Sequence, residues 1–392
     1  MIVKNVYAEK LDNFGRGIVY QNGKITFVKN LLPCEKADIE IVLDKKRYAL
    51  GKVVRLLEKS SDRVDPKCPY ENCGCMLKHL DYLKQLEYKE SKVKDIIYKF
   101  SGMVPKFNPI VYEDCWNYRN KITLKISNGT CYCKPGTNNM IKIDSCFLVS
   151  DKVNEIIKVL NTLDLSKAQE VVIKEFNGIM LIIDGYLDIS LLKTLVNSIY
   201  LNGKLVYGAE YITTLIKDLT FYISKDSFFQ VNKYLTENLY DVAIEYCGND
   251  KSKKVLDLYC GTGTISLLLS KYFKEVIGIE INKEAIKCAN LNKKANNIDN
   301  VSFVCGDASK KIDDLKADIV VVDPPRSGLT NKGIKDIIKI NPEKIVYVSC
   351  DLVTLARDLG ILKEKYNVLE ITPVDMFPNT YHVETVTLLE RK

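Results

Sequence analysis

The sequence predicts a multidomain protein with an N-terminal β-barrel (residues 1–60), a mixed α+β central domain (61–220) and a C-terminal Rossmann-like α/β domain (221–392). A chain of 392 residues is longer than one hydrophobic core usually organises, so we expect more than one domain. Short strands and frequent turns fill the first sixty residues, whereas apolar strands alternate with amphipathic helices from about residue 251. These patterns predict different architectures at the two ends of the chain.

The N-terminal domain is predicted from its turns and its alternation. The stretch "QNGK" (21–24) predicts a hairpin, and residues 37–58 alternate apolar and polar side chains across two further strands. Short strands at this spacing indicate a small, OB-like barrel. Lys and Arg recur along it, and such barrels often present a basic face to nucleic acid, although a solvated charged face is the commoner explanation.

The central domain is predicted from a helix and a strand pair. Residues 80–102 place apolar side chains at helical spacing, and Gly102 is expected to end this helix. Residues 118–136 then predict two strands around a turn at Asn128 and Gly129.

Composition limits the class of protein. The net charge of +7 has the sign that a polyanion-binding protein needs, but a solvated basic surface explains it equally well. No apolar run is long enough to span a bilayer and the first ten residues do not resemble a signal peptide, so we expect a cytoplasmic protein. Thirteen cysteines without a secretion signal indicate reduced thiols, metal ligands or a nucleophile rather than disulfides.

The C-terminal domain is predicted to be a doubly wound parallel sheet covered on both faces by helices, because its strands are fully apolar. The last two strands are expected to form an antiparallel pair at the sheet edge. In such folds a ligand binds beyond the carboxyl ends of the strands, so the residues that end each strand are candidate site residues.

The first of these strands turns through "YCGTGT", where Gly261 and Gly263 lack the third glycine of a dinucleotide-binding turn. The second strand ends at Glu280, whose carboxylate can accept hydrogen bonds from both ribose hydroxyls, and the third is followed by Asp307, which can accept from an adenine amino group. Recognition of ribose and adenine without a phosphate cradle indicates S-adenosylmethionine. The alternative is a purely structural turn.

Two reactions are compatible with the residues at the ends of the next two strands. The fourth strand ends at Asp323 and is followed by the rest of "DPPRSGL". Methylation of a base amino group uses a similar Asp-Pro-Pro loop followed by an aromatic residue, but here Arg326 follows, so this is the weaker interpretation. The next strand ends at Cys350, and a helix begins just after it, a position expected to lower the pKa of a thiol. A thiolate beside a methyl donor suits covalent activation of a poor carbon nucleophile such as C5 of uracil.

That reaction needs a base for the C5 proton. Glu384, at the start of the final apolar strand, is the candidate, and His382 is its rival. Taken alone, Cys350 is as easily a buried small residue and Glu384 a solvated edge charge. Their occurrence together with Asp323 favours catalysis.

Taken together, these motifs resemble those of the RNA uracil-5-methyltransferases, and specifically those of the ribosomal RNA subgroup with a TRAM domain. The motifs are "SFFQVN", "DLYCGTGT", "DPPRSGL", "VSCDLVTLARD" and "HVETVTLL", in this order. The resemblance implies Cys350 as nucleophile, Glu384 as base and Asp323 as a further catalytic residue. It also implies cofactor contacts from Gln230, Tyr259, Gly261, Thr264, Glu280, Asp307 and Asp323.

One departure lies beside the nucleophile, where the family usually has Asn-Pro and this chain has Asp351 and Leu352. An added carboxylate should raise the pKa of the thiol. We therefore expect a compensating cation, either Arg326 or Arg357.

A cysteine-rich segment resembles the iron–sulfur ligands of the ribosomal subgroup, namely Cys68, Cys73, Cys75 and Cys146. Four thiolates can hold a [4Fe–4S] cluster. Each gap in this C-x4-C-x-C pattern is one residue shorter than usual, so zinc or a vestigial site is the alternative. A substitute ligand could come from Cys131 or Cys133, which are more simply two cysteines on a hairpin.

The sequence thus predicts an enzyme that makes 5-methyluridine in 23S ribosomal RNA. We expect it to be a monomer and not to associate with a membrane. The target base must leave its stack to reach Cys350. The alternatives are the same chemistry on transfer RNA, or a non-catalytic RNA-binding factor that retains the fold.

Overall fold

The computed structural model describes residues 1–21, 23–71, 74–127, 130–133, 140–306 and 316–392, and for residues 131–133 the backbone only. The chain divides into two compact units. Unit 1 comprises Met1–Lys92, Cys133–Ile141 and Phe377–His382, and unit 2 comprises Val93–Tyr132, Lys142–Met376 and Val383–Lys392.

Unit 1 contains a six-stranded sheet in the order β1-β5-β6-β4-β3-β2. Its strands are antiparallel except for β4 and β6, which are parallel. Apolar side chains from these strands and their loops form its core, among them Val6, Val19, Val28, Leu31 and Ile39. The strands are β1 (Ile2–Tyr7), β2 (Lys10–Leu11), β3 (Gly17–Gln21), β4 (Lys24–Lys29), β5 (Lys36–Asp44) and β6 (Tyr48–Glu58).

Helix α1 (Tyr82–Ser101) follows, ending just before Gly102 as predicted. Its first half anchors the segment 377–382 within unit 1. The backbone N–H of Asn379 donates to Gln85 Oε1 at 2.9 Å, and the buried Lys89 ammonium donates to the carbonyl of Phe377 at 3.0 Å.

Unit 2 contains a mixed sheet in which β8, β11, β12, β13 and β14 are neighbours in this order, with β9 beside β8. The predicted strand pair is present as β8 and β9, and its turn at residues 128–129 lies outside the described residues. The elements are β7 (Lys106–Phe107), β8 (Lys121–Ile126), β9 (Thr130–Cys133), β10 (Met140–Lys142, of which only Lys142 belongs to unit 2), α2 (Asp151–Leu160), β11 (Ala168–Phe176), β12 (Gly178–Gly185), a 3₁₀ turn (Leu192–Thr194), β13 (Ser198–Leu201), β14 (Lys204–Gly208) and the hairpin β15 (Ile212–Ile216) and β16 (Leu219–Ile223).

The second sheet of unit 2 has eight strands in the order β19-β18-β17-β20-β21-β23-β22-β7. Strands β17 to β21 are parallel, and β23 is antiparallel to both of its neighbours. The elements are α3 (Thr236–Cys247), β17 (Asp250–Leu258), α4 (Thr264–Leu269), β18 (Phe273–Glu280), α5 (Lys283–Ala295), β19 (Val301–Cys305), β20 (Ile319–Val322), α6 (Asn331–Ile340), β21 (Lys344–Ser349), α7 (Leu352–Leu362), β22 (Tyr366–Val374) and β23 (Glu384–Arg391).

The predicted α/β fold is confirmed, and the last two strands form the expected antiparallel pair. They do not end the sheet, however, because β7 pairs in parallel with β22. A strand of two residues carries no periodicity, so the sequence pattern could not predict it. No helix in the described ranges is long and apolar enough to cross a membrane.

Candidate active site

The site lies where the order of the parallel strands reverses, between β17 and β20. Leu258, the last residue of β17, is in register with Ile279 on β18 and Val322 on β20. The residues that follow these positions therefore emerge at one edge of the sheet, as ligand-binding residues do in doubly wound folds. They are Tyr259, Glu280 and Asp323.

The pairing of β21 with β23 brings the predicted nucleophile and base together. Ser349 is in register with Thr385, so the next pair along this antiparallel ladder is Cys350 opposite Glu384. Side chains of directly opposed residues lie on the same face of a sheet. Both groups are therefore at the edge that carries Asp323.

Glu384 is a buried acid with unused hydrogen-bonding capacity. Its side chain is 5% exposed, and Oε2 has no hydrogen-bond partner among the described residues. Burial, together with the charge of Asp323, raises the pKa of Glu384 to about 8, while Arg326 opposes the shift. A carboxyl whose pKa lies near neutral pH is suited to take up and release a proton.

Asp323 follows β20 and is held in place by its backbone. Its N–H donates to the carbonyl of Leu258 at 3.4 Å, and two prolines follow it. Desolvation raises the pKa of its carboxyl to about 7. The site thus contains two carboxyl groups, Asp323 and Glu384, whose pKa values are both raised toward neutral pH.

The prediction that the helix following Cys350 lowers the pKa of its thiol is wrong. Burial, followed by the charges of Glu384 and Asp323, raises the pKa of Cys350 to about 11. The helix amides do not offset this rise, because Asp351 caps them with its own side chain. Asp351 Oδ1 accepts from the N–H of Val353 at 3.1 Å and of Thr354 at 2.9 Å.

The cap also explains how Asp351 replaces the Asn of the family motif, since both residues are favoured at a helix N-cap. Replacing Asp351 by Asn is therefore expected to keep the helix and remove one negative charge beside the thiol. We expect Cys350 to react about threefold to tenfold faster with iodoacetamide at pH 8, because its pKa falls by up to about one unit. Peptide mass spectrometry measures this rate, and an unchanged or slower rate would contradict the assignment of Asp351 as a cap that opposes the thiolate.

Of the two cations proposed to compensate Asp351, the structure favours Arg326. Its charge lowers the pKa values of both Cys350 and Glu384. Arg357 is engaged elsewhere, because its guanidinium pairs with Asp358 at 2.7 Å.

The turn after β17 is shaped to admit a ligand. Tyr259 and Gly261 have positive φ values of 65° and 54°, and no atom lies within 4 Å of where a Cβ on Gly261 would be. Glu280 is fixed beside this turn, since its carboxylate accepts from the N–H of Gly261 at 3.2 Å and of Asn282 at 2.8 Å. The open space and the anchored carboxylate fit a ribose-containing cofactor.

Thr264 and Gln230 are both buried in unit 2. Sequence reasoning missed Tyr240 on α3, a buried tyrosine whose phenol is hydrogen-bonded to Thr264 and feels the charges of Asp323 and Glu384, which help to raise its pKa. It also missed Asp257, whose pKa burial raises to about 7. No sequence signal distinguishes Tyr240, whereas Asp257 is an acid within the apolar stretch "VLDL" of its strand and opens the motif "DLYCGTGT", a signal that could have identified it. Asp307 lies outside the described residues.

The predicted metal ligands are described only in part. Cys68 and Cys75 line one cavity of about 490 Å³ in unit 1. Cys73 lies outside the described residues, and Cys146 belongs to unit 2. Among the side chains that are described, no group of three His, Cys, Asp or Glu is arranged to hold a metal ion. His382, the rival base, belongs to unit 1, where its ring centroid lies 4.2 Å from that of Tyr381.

A reversed strand order with acids at neighbouring strand ends and an open glycine turn defines a nucleoside-binding site of a doubly wound α/β fold. Comparison with known proteins agrees. The profile of the tRNA (uracil-5-)-methyltransferase family matches residues 193–309 and 308–392. The chain belongs to this family. It is therefore an RNA methyltransferase that uses S-adenosylmethionine.

Individual relatives match over nearly the whole chain. An uncharacterized RNA methyltransferase from Clostridium tetani is 37% identical, covering 98% of this chain and 95% of its own length. One from Caldanaerobacter subterraneus subsp. tengcongensis is 38% identical over 96% of this chain and 95% of its own. Among solved structures, the Pyrococcus abyssi tRNA (uracil-54, C5)-methyltransferase in complex with S-adenosyl-L-homocysteine is similar, with a TM-score of 0.82, 28% identity and coverage of 98% and 99% of the two chains.

Proposed function

We propose that the enzyme methylates C5 of a uridine in RNA through a covalent adduct of Cys350, with Glu384 as the base. The observation that carries this proposal is the register of β21 and β23, which sets Cys350 opposite a buried carboxyl with an unpartnered oxygen. A nucleophile and a base at the same strand ends are what C5 methylation requires.

The first half of the reaction uses the thiolate. Cys350 Sγ adds to C6 of the uracil, and the electrons of the C5–C6 double bond move to the C4 carbonyl oxygen as an enolate. Arg326 is the nearby cation that favours the thiolate. S-adenosylmethionine would supply an electrophilic methyl group: C5 bonds to it, the methyl–sulfur bond breaks, and S-adenosylhomocysteine leaves. We propose that Gln230, Tyr259, Gly261, Thr264, Glu280, Asp307 and Asp323 hold this donor.

The second half uses the acid. The Glu384 carboxylate takes the proton from C5, the electrons of that C–H bond re-form the C5–C6 double bond, and the C–S bond breaks to return the thiolate of Cys350. A carboxyl with a pKa of about 8 is a stronger base than an ordinary glutamate. The buried position also keeps water from competing for the proton.

The raised pKa values predict opposite effects of pH on activity and on stability. Asp323 and Glu384 ionise at about 7 and about 8 in the folded protein, well above their ordinary values. Their contribution to stability is therefore present at low pH and is lost as pH rises through these values, because the folded form binds more protons than the unfolded form. Activity should rise over the same range as Glu384 becomes a base.

Initial rates of methyl transfer and urea unfolding, both measured from pH 6 to pH 9, test this prediction. In the variant Glu384→Gln the free energy of unfolding should depend less on pH. An activity that falls from pH 6 to pH 9 would show that Glu384 does not act as the base.

Within RNA, we propose 23S ribosomal RNA as the first candidate substrate, with residues 1–60, which contain the N-terminal sheet, as a TRAM-like RNA-binding domain. The cysteine-rich segment favours this choice. Transfer RNA is the second candidate, because the similarity to the Pyrococcus abyssi transfer RNA enzyme extends over 98% of this chain and so includes the N-terminal sheet. That sheet therefore does not distinguish the two substrates.

We also propose that Cys68, Cys73, Cys75 and Cys146 hold a [4Fe–4S] cluster with a structural role, and zinc is the alternative. Cys68 and Cys75 line one cavity, and His79 in its wall has a buried Nε2 without a hydrogen-bond partner among the described residues. The two thiols that share this cavity support the proposal, which needs Cys73 and Cys146 to complete the ligand set. Iron and acid-labile sulfide in anaerobically purified protein would support the cluster, and zinc without sulfide would replace it.

The substrate is identified by incubating the protein with unmodified ribosomal and transfer RNA and methyl-labelled S-adenosylmethionine, followed by mapping of the labelled nucleotide. Label at uracil C5 in 23S RNA is the expected result. Label at an adenine or cytosine amino group would overturn the chemistry. No label on either RNA would favour a non-catalytic RNA-binding factor.

A further inference from the structure

The turn after Asp323 is held by one helix, α7, which begins directly after Cys350. Asp358 on this helix is fully buried, and its Oδ2 accepts from the N–H of Leu329 and from the hydroxyl of Tyr347, both at 2.8 Å. Leu329 belongs to the turn, and Tyr347 lies on β21, the strand that leads to Cys350. One carboxylate therefore joins the turn to the strand of the nucleophile.

Two further residues of α7 hold the same turn by its carbonyls. The Arg357 guanidinium donates to Ser327 at 3.0 Å and to Leu329 at 2.9 Å, while its Nε donates to Asp358 at 2.8 Å. The Thr354 hydroxyl donates to the carbonyl of Arg326 at 3.1 Å and lies 3.2 Å from that of Asp351. The backbone of Arg326 is thus joined through one hydroxyl to the residue that follows Cys350.

Gly328 leaves this turn little freedom to move. Its φ is +71°, and a Cβ at this position would lie 2.7 Å from Asp358 Oδ2 and 2.8 Å from Arg357 Nη2. The turn therefore packs directly against the Asp358–Arg357 pair. The hydrogen bonds that α7 makes to the turn go to its backbone atoms. They leave the Arg326 side chain unbound, and it has no ion-pair partner among the described residues.

We propose that Asp358 is a positioning residue that holds the 326–329 turn, and with it the Arg326 guanidinium, against the strand end that carries Cys350. This inference rests on the proposed role of Cys350 and deepens it. The charged groups that face the thiol are Glu384 from β23, Asp323 and Arg326 from the turn after β20, and Asp351 from the start of α7. Arg326 is the cation in this set, so displacing it would remove the charge that favours the thiolate.

The test compares Asp358→Asn with Arg326→Gln and with the double variant in full-length protein without RNA. In the first variant an amide nitrogen, which cannot accept a hydrogen bond, replaces one carboxylate oxygen. Either the Leu329 and Tyr347 donors or the Arg357 Nε then loses its acceptor, and the charge that pairs with Arg357 is lost. The rate of Cys350 alkylation by iodoacetamide, followed by peptide mass spectrometry from pH 7 to pH 10, should fall about tenfold at every pH in each single variant, because the whole range lies below the pKa of the thiol. The double variant should be no slower than either single variant, because both changes remove the same interaction.

Tyr246→Phe is the matched control, since it removes a buried tyrosine hydroxyl bonded to Thr372 at 2.6 Å in the same unit. It should lose stability without changing the alkylation profile. If Asp358→Asn does not fold, Tyr347→Phe removes one bond of the same carboxylate and should give a smaller fall in the alkylation rate. When methyl transfer is assayed, the Asp358→Asn variant should have a lower kcat and an unchanged KM for S-adenosylmethionine.

An unchanged alkylation profile in a folded Asp358→Asn variant would overturn the proposal, and so would additive losses in the double variant. Alkylation of Cys350 is measured without substrate, so this outcome is distinct from failure of the proposed function, which would appear as absence of methyl transfer by the unaltered protein.

Discussion

Replacement of Cys350 by Ala is expected to abolish methyl transfer, with a loss in kcat of roughly 10⁴-fold or more, as is typical when a covalent nucleophile is removed. The loss should arise in the chemical step and not in binding of the cofactor. Without the thiol, C5 of uracil has no enolate to drive its attack on the methyl group. Binding of S-adenosylmethionine should change little, because the cofactor turn at residues 259–264 does not depend on the thiol. Single-turnover methylation and calorimetric binding of the cofactor measure the two effects.

Cys247→Ala is the matched control, because Cys247 is a buried thiol of the same unit that lies at the end of α3. It should retain activity and lose about 1 kcal/mol of stability, as expected for a small truncation in a core. Methyl transfer by Cys350→Ala within tenfold of the unaltered protein would point instead to amino-group methylation through Asp323.

Replacement of Glu384 by Gln is expected to arrest the enzyme after methyl transfer. The thiolate can still add to C6 and C5 can still be methylated, but nothing then removes the C5 proton, so the C–S bond does not break. A protein–RNA adduct resistant to denaturant should accumulate, and kcat should fall by roughly 10²–10⁴-fold, the usual contribution of a general base. Denaturing gel electrophoresis with methyl-labelled cofactor detects this adduct.

Glu370→Gln on the neighbouring strand β22 is the control. The Glu370 carboxylate accepts a hydrogen bond from Asn108 at 2.9 Å and forms an ion pair with Lys106 at 3.2 Å. These contacts account for its presence without a catalytic role. This variant should turn over normally. If Glu384→Gln turned over as fast as the unaltered protein, another group, with His382 as the first candidate, would be the base.

Much of the candidate site could be predicted because its residues follow strands. The strands are apolar enough to be recognised, and parallel topology then places their ends at one edge. Asp323 and Cys350 were predicted as site residues in this way, and Glu384 was predicted because an acid opens an otherwise apolar strand. The structure adds the register that sets Cys350 opposite Glu384.

The electrostatics of the site could not be predicted in the same way. The helix after Cys350 suggested a lowered thiol pKa, but the side chain of Asp351 occupies the helix amides, and burial together with two acids dominates. Local sequence shows a helix start but not which side chain caps it. The role proposed for Asp358 could not be predicted from the sequence either. Its partners Tyr347 and Leu329 lie 11 and 29 positions away along the chain, and the fold brings them to one carboxylate oxygen.

The most direct test of the account incubates the protein with RNA in which uridine is replaced by 5-fluorouridine, together with S-adenosylmethionine. Fluorine at C5 cannot leave as a proton does, so the methylated adduct should be trapped on the enzyme. Mass spectrometry of the digested protein should then find one methylated fluorouridine nucleotide attached to the peptide that contains Cys350. Attachment at another cysteine, or methylated RNA without any adduct, would contradict the central claim that Cys350 activates the uracil.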